Sequence, residues 1–197
     1  MKSETFPISI RSRQVSTAML GTAMLIIGGA SAVAQDKQAL IESALSAAPP
    51  MVAETATVKD SKGNVLREGS GAYTCFPREG AGQSPLCVDE VWAGWLDAYV
   101  NKKPFTPSKV GVSYMLAGDA PDAGVSNIDP YDMEPKADNQ FIVEGPHLMI
   151  LVPDPALLEA FPAEPGGGEP YVMWKGTPYA HIMVPTGARP EQPAVSQ

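Results

Sequence analysis

Two apolar segments in the C-terminal third of the chain, PHLMILVP and YAHIMVP, have the alternating pattern of β-strands with two different faces. Because successive side chains of a strand point to opposite faces, the first segment places His147 and Met149 on one face and aliphatic residues such as Leu148 on the other. The second segment repeats this pattern with His181 and Met183. Each strand therefore has one aliphatic face and one face of imidazole and thioether groups.

Other segments predict the remaining elements of an α+β domain. Helical periodicity and an N-cap aspartate mark DKQALIESALSAAPP, which begins near Asp36, and PLCVDEVWAGWLDAYVNKKP, which is capped by Asp89. DPALLEAF predicts one or two further helical turns. Strand patterns occur in MVAETATV, VLRE, AYTC, KVGVSYML and FIV, with a turn at DSKGN and a hairpin in YVMW-KGTP-YAHIMV. Since helices and strands do not alternate regularly, we predict a mostly antiparallel sheet with the two main helices packed on one face.

The N-terminal residues 1–34 have the layout of a secretory signal peptide. Lys2, Arg11 and Arg13 precede the apolar run AMLGTAMLIIGGA, and AVA supplies the small-x-small pattern of a cleavage site that ends at Ala34. The alternative is an uncleaved membrane anchor, but the apolar run is shorter than the roughly 20 residues needed to span a bilayer. The sequence predicts a periplasmic or secreted protein with no stable membrane anchor after cleavage.

The length that remains after cleavage predicts one globular domain over residues 35–184. The tail over residues 185–197 contains three prolines and no apolar pattern, so we predict that it is disordered. The chain has only two cysteines, Cys75 and Cys87. An even count in an exported protein predicts a disulfide, worth about 3 kcal/mol. A thiolate metal or redox pair is the alternative, although the spacing differs from Cys-x-x-Cys.

The charge balance excludes nucleic acid as a partner. The chain has 14 Lys and Arg against 22 Asp and Glu, a net charge of −8. Without the three basic residues and one acid of the predicted signal peptide, these counts become 11 and 21, and the net charge falls to −10. Phosphate backbones and anionic membranes need clustered Lys and Arg, which this chain lacks. No particular partner or oligomeric state is indicated.

An acidic segment over residues 117–139, AGDAPDAGVSNIDPYDMEPKADN, has no apolar periodicity and predicts a long loop. A loop of this length is either functional or a solvated connector. Its aspartates raise the question of calcium, but they lack the EF-hand spacing and its bidentate glutamate. The simpler interpretation is a solvated loop.

The repeated His-x-Met pattern is the feature that points to specific chemistry. Imidazole and thioether ligands together suit copper, above all Cu(I), whereas zinc prefers thiolates, carboxylates or three imidazoles. If the two strands are neighbours in register, their imidazoles and thioethers share one patch. The predicted copper ligands are His147, Met149, His181, Met183 and, from the preceding hairpin strand, Met173. The alternative is that these residues only fill the core, where methionine is common.

The His-x-Met pairs resemble the ligand arrangement of small periplasmic copper chaperones with a cupredoxin-like fold, although the spacing, the chain order and the two helices differ from that family. A wider resemblance covers SYMLAGDAPDAGVSNIDP, DNQFIVEGPHLMILVPDPALLEAFP and GGEPYVMWKGTPYAHIMVP. These blocks resemble a family of exported bacterial proteins of unknown function. That resemblance implies export and a single domain, and it brings no activity.

No motif of an established enzyme class is present in the sequence. It contains no Gly-x-Ser-x-Gly, no phosphate-binding glycine loop and no His-Glu-x-x-His. We therefore interpret the chain as a small exported, non-enzymatic binding or envelope-associated module. The alternative is a hydrolase that uses one of the two histidines as a general base, because such sites are defined by geometry rather than by chain order.

Overall fold

The structure, a computed structural model, describes the backbone of residues 28–194 and the side chains of residues 36–194. Residues 1–27 of the predicted signal peptide and 195–197 of the predicted tail lie outside the described residues. Within the described part of the chain, no helix is both long enough and apolar enough to cross a membrane.

An eight-stranded sheet forms the centre of the molecule, and a two-stranded sheet accompanies it. The strands are β1 (Thr57–Lys59), β2 (Val65–Arg67), β3 (Thr74–Phe76), β4 (Leu86–Val88), β5 (Gly111–Met115), β6 (Val125–Ser126), β7 (Phe141–Ile142), β8 (His147–Leu151), β9 (Tyr171–Met173) and β10 (His181–Pro185). The order in the large sheet is β2-β1-β3-β4-β5-β8-β10-β9, and β6 pairs with β7 in the small one. Every pair is antiparallel except β1 with β3. The predicted α+β class with a mostly antiparallel sheet is confirmed.

The helices are α1 (Gly28–Leu45), α2 (Pro50–Ala53), α3 (Glu90–Val100) and a 3-10 helix over Pro155–Ala160. Helix α1 begins ahead of Asp36, so the prediction that Asp36 caps it is wrong for a chain that still carries residues 28–35. Helix α2 occupies part of the segment predicted to be a strand. Its first residue is Pro50, whose fixed φ and missing N–H suit the first turn of a helix, and this local preference overrides the alternation that follows.

Helix α3 confirms the predicted N-cap. One carboxylate oxygen of Asp89 accepts a hydrogen bond from the backbone N–H of Trp92 at 2.9 Å. The other oxygen accepts from the backbone N–H of Val112 at 2.7 Å, which ties the start of α3 to β5. Strand β4, which directly precedes this cap, was not predicted, because its three residues merge with the apolar pattern of the helix.

The two main helices contact opposite faces of β4, which differs from the predicted placement on one face. Cys87 belongs to the cluster under α1, whereas the next residue, Val88, packs with Trp92 of α3. Adjacent residues of a strand point to opposite faces, so α1 and α3 lie on opposite sides of the sheet. We call the core under α1 the alanine cluster; it contains Ala44, Ala47, Ala48, Ala56, Val58, Cys75 and Cys87. We call the core under α3 the aromatic cluster; it contains Val88, Val91, Trp92, Trp95, Ile142, Met149, Leu151, Tyr171, Met173, Trp174, Tyr179 and Met183.

The predicted disulfide is confirmed. Cys75 on β3 and Cys87 on β4 are direct cross-strand partners and are bonded to each other. Both are fully buried in the alanine cluster. The bond therefore joins neighbouring strands inside the core that α1 covers.

The segment after Pro185 is bound to the domain, so the prediction of a disordered tail from residue 185 is wrong as far as Gln192. The side-chain amide of Gln192 pairs with both the N–H and the carbonyl of Val143, as a neighbouring strand would. The guanidinium of Arg189 bonds to the buried carboxylate of Glu144 at 2.9 Å. Sequence composition missed these contacts because they are made by single polar side chains.

The acidic loop packs against the domain over the aromatic cluster. It contains β6, and its buried residues Ser126, Asn127 and Asn139 form side-chain hydrogen bonds within the loop and to neighbouring backbone. Its aspartates have separate partners; for example, Asp122 pairs with Arg78 and Asp132 pairs with Lys136. They do not converge on a common cation site.

Candidate functional site

The register of four adjacent strands brings the predicted ligands together on one face of the sheet. Met149 of β8 lies directly opposite Met183 of β10. His181 of β10 lies opposite Met173 of β9. His147 of β8 lies opposite a residue that we did not predict, Met115 of β5.

These pairings have local two-fold symmetry. Each histidine has one methionine directly across the ladder and a second methionine two residues further along its own strand. The central pair of the array is formed by Met149 and Met183. The His-x-Met pattern therefore occurs twice in the sequence because β8 and β10 are antiparallel neighbours that are related by a local two-fold axis between them.

All five predicted ligands line one cavity of about 220 Å³. Its wall also includes the three tryptophans of the chain, together with two methionines that we did not predict as ligands, Met115 and Met133, and one carboxylic acid, Asp119. Part of the acidic loop thus closes over the histidine–methionine face. A wider surface depression of about 410 Å³, beside Arg189 and Gln192, shares no lining residue with this cavity.

The two histidines lie at opposite ends of the array. His147 pairs with Pro185, and Pro185 is four residues beyond His181 on β10. At the rise of an antiparallel strand this offset is roughly 13 Å along the ladder, with the two central methionines between the rings. Each imidazole consequently has its own thioether neighbours, which differs from the predicted convergence of both rings on one point.

Both imidazoles are buried, and each is fixed in one tautomer. Nδ1 of His147 lies 2.7 Å from the carbonyl oxygen of Gly145, and Nδ1 of His181 lies 2.9 Å from that of Tyr179. A carbonyl oxygen only accepts, so each Nδ1 carries a proton and donates it. In the neutral ring Nε2 then bears the lone pair, which is the arrangement found in metal-binding histidines whose second nitrogen donates to a backbone carbonyl.

The environment of His181 disfavours its protonation. Its ring is surrounded by Trp92, Trp95 and Trp174 at centroid distances of 5.3, 5.6 and 5.2 Å, and all three indoles meet it edge-on. Burial in this apolar enclosure, reinforced by the charge of His147, lowers the pKa of His181 from 6.5 to about 4. Nε2 of His181 is enclosed and has no hydrogen-bond partner. The lone pair is thus available near neutral pH.

At the other end of the cavity lies a buried acid. Burial raises the pKa of Asp119, while the nearby His147 and a hydrogen bond from the backbone N–H of Glu144 lower it in part. Tyr171 belongs to the same buried region, and its hydroxyl donates to the Glu144 carboxylate at 2.8 Å. Burial, together with the charge of Glu144, raises the pKa of Tyr171. These groups give the His147 end a more polar character than the His181 end.

The strand predicted in KVGVSYML contains Met115, but its alternation did not identify Met115 as part of the site. Val110 is exposed, whereas Gly111 and Ser113, which lie on the same face of the strand as Met115, are buried. The two tryptophans of α3 pack into the aromatic cluster, and they also line the cavity.

The donor set limits what the cavity can hold. Among residues 36–194 there is no group of three or more His, Cys, Asp and Glu side chains that could hold a metal ion. Ligation in this cavity would therefore rely on thioether sulfur together with imidazole, which is a donor set for soft ions. In the same part of the chain no serine is hydrogen-bonded to either imidazole, and neither Nδ1 is held by a carboxylate. This differs from the orientation of a catalytic base in a serine hydrolase.

The chain matches no protein-family model, no curated protein and no solved structure. The resemblance to exported bacterial proteins of unknown function consequently stays an interpretation of the sequence.

Proposed function

We propose that this protein is an exported, non-enzymatic module that binds Cu(I) on its histidine–methionine face. The observation that carries the proposal is the strand register, which sets a methionine directly across from each histidine and a second methionine two residues along. The principal ligands are Nε2 of His181 and the sulfurs of Met173 and Met183. Met149 stands next to them, and His147 with Met115 forms the equivalent other end.

The protonation state of His181 supports this assignment. Metal binding competes with protons for the ligand lone pair. Because the pKa of His181 is lowered to about 4, no proton has to be displaced from Nε2 at neutral or mildly acidic pH. Thioethers do not titrate, so the whole site binds without a change in protonation.

Charge and softness support Cu(I) over divalent ions. The ligands are uncharged and lie in a buried, largely apolar wall, where an unneutralised divalent charge is more costly than a single one. The predicted signal peptide supports export, and the buried disulfide is compatible with an oxidising compartment. A periplasmic or secreted location is part of the proposal.

The test is an anaerobic titration of the purified protein with Cu(I) against a chromophoric Cu(I) chelator, with ascorbate as reductant. We expect the double variant Met173→Leu/Met183→Leu to bind Cu(I) at least about tenfold more weakly than the wild type, because leucine keeps the volume but removes the soft sulfur. The matched control is Met51→Leu on α2, since Met51 is 77% exposed and lies outside the cavity. Its affinity should equal that of the wild type.

A second comparison uses the double variant His147→Ala/His181→Ala, checked for folding by its disulfide and circular dichroism. We expect it to lose most of the Cu(I) affinity. If this variant and the methionine variant both bind Cu(I) as tightly as the wild type, the copper proposal is wrong and the face is only core.

A further inference from the structure

Three buried polar atoms at the His181 end of the cavity have no hydrogen-bond partner. They are Nε1 of Trp92, Nε1 of Trp95 and Nε2 of His181. A fourth such atom, Oδ1 of Asn127, belongs to a residue that does not line the cavity. Buried polar groups in folded proteins nearly always have partners, so three in one place require an explanation.

The three atoms belong to rings that are in mutual contact. The centroids of Trp92 and Trp95 are 4.8 Å apart, and the imidazole of His181 lies 5.3 and 5.6 Å from them. All three residues line the same cavity. Indole nitrogen can only donate, and Nε2 of the neutral His181 can only accept, because Nδ1 holds the proton. The site therefore offers two donors and one acceptor.

A single hydroxyl group satisfies this set completely, because it has two acceptor lone pairs and one donor hydrogen. We propose that the cavity is a binding site for a small apolar molecule with one hydroxyl group, of which a monocyclic phenol is the best-fitting class. The hydroxyl oxygen accepts from the indoles of Trp92 and Trp95 and donates its hydrogen to His181. The hydrocarbon ring lies against methionines such as Met149 and Met173.

The size and polarity of the cavity agree with this ligand class. An apolar cavity of about 150 Å³ holds benzene, so the volume of about 220 Å³ leaves room for a ring and its substituents. The wall near His181 carries no charged side chain, and thioether–aromatic contacts are favourable. A charged ligand would lose its hydration without compensation.

This site extends beyond copper binding but shares one atom with it. Nε2 of His181 cannot ligate Cu(I) and accept from a hydroxyl at the same time, so the two ligands exclude each other. We therefore test the phenol site on metal-free protein with a chelator present, and the copper site without phenol. Failure of one leaves the result of the other unaffected.

The experiment is calorimetric titration of the folded, disulfide-bonded protein with phenol, anisole and toluene. These have the same ring, but anisole lacks the donor hydrogen and toluene lacks the oxygen as well. We expect phenol to bind about tenfold more tightly than toluene, with anisole between them, because each added hydrogen bond satisfies an unpaired group. Tryptophan fluorescence is an independent readout, since all three tryptophans line the cavity.

Three single variants locate the hydroxyl. Trp92→Phe and Trp95→Phe remove an unpaired N–H and keep an aromatic ring, so each should reduce the preference for phenol over toluene. The matched control is Tyr114→Phe, a change of one aromatic residue that packs against the alanine cluster and does not line the cavity. It should leave the preference for phenol unchanged.

The proposal is overturned if toluene binds as tightly as phenol, or if neither binds, because the three atoms would then simply hold water. It is also overturned if Tyr114→Phe removes the preference as effectively as Trp92→Phe and Trp95→Phe. Because the preference is a ratio measured within each protein, a moderate loss of stability in a variant does not obscure the outcome.

Discussion

The alanine cluster and the aromatic cluster lie on opposite faces of the same sheet and differ in how they are built. The first consists of small side chains, which let α1 approach the strands closely, and it contains the disulfide. The second combines tryptophans, tyrosines and methionines with four aliphatic residues, and its tryptophans and methionines line a cavity of about 220 Å³. Open space therefore lies beside the largest residues of the aromatic cluster.

The two cores also differ in whether their buried polar groups have hydrogen-bond partners. Within residues 36–194, four buried side-chain nitrogen or oxygen atoms have no hydrogen-bond partner, and none of them belongs to the alanine cluster. Two belong to tryptophans of the aromatic cluster, and a third belongs to His181, whose ring contacts these tryptophans. An unsatisfied buried group costs about 1–3 kcal/mol. Such a cost in one core of a small protein is expected where a ligand binds, so the contrast supports our proposal that one face is structural and the other binds a ligand.

The largest effect is expected from removing the disulfide. The double variant Cys75→Ala/Cys87→Ala should lower the free energy of unfolding by about 3 kcal/mol, because the bond closes a short loop in the unfolded chain. Urea denaturation measures this change. If the two cores are independent in function, the ligand preferences of the cavity remain those of the wild type below the unfolding transition. A changed phenol or Cu(I) affinity in the folded variant would contradict the independence of the two cores.

The second effect is a pH dependence that originates in the aromatic cluster. The pKa of His181 is about 4 in the folded protein against 6.5 as the ordinary value, so the unfolded chain binds more protons between these values. Stability is thus complete above pH 6.5 and falls as the pH drops towards 4. From pH 7 to pH 5 the expected loss is about 2 kcal/mol.

The control for this measurement is His181→Leu, which should lack that part of the pH dependence. Asp119 works in the opposite direction, because burial raises its pKa and its protonation favours the folded state. If the wild type and His181→Leu lose the same stability between pH 7 and pH 5, measured by urea denaturation, the aromatic enclosure of His181 is open to water.

Local patterns predicted much of the fold and one part of the site. The cap at Asp89, the DSKGN turn, the strand of His147 and the hairpin that contains His181 all depend on residues close in sequence, and each is confirmed. The face shared by the histidines and methionines followed from strand alternation alone. Their separation along the ladder did not, because register is set by tertiary pairing.

The remaining features depend on contacts that no local pattern encodes. Met115 reaches the site only because β5 pairs with β8, and Trp174 only because the hairpin turn runs over residues 174–180, longer than predicted. Trp174 also has a positive φ of 56°, an unusual conformation for a large residue, and its indole is held by the acidic loop. The burial of Trp92 and Trp95, and the absence of hydrogen-bond partners for their indole nitrogens, likewise result from tertiary packing.

The smallest effect concerns a contact that connects the two regions. Arg78, which follows β3, forms an ion pair of 2.7 Å with Asp122 of the acidic loop, and the two side chains are 40% and 45% exposed. Exposed pairs contribute little, so Arg78→Ala should lower the free energy of unfolding by about 0.5 kcal/mol, and less at high salt. Asn127, whose amide donates to the carbonyl of Ala163 at 2.8 Å, holds the loop from within. If Arg78→Ala instead costs more than about 2 kcal/mol, closure of the loop over the cavity depends on the disulfide-bonded region, and the two faces are not independent.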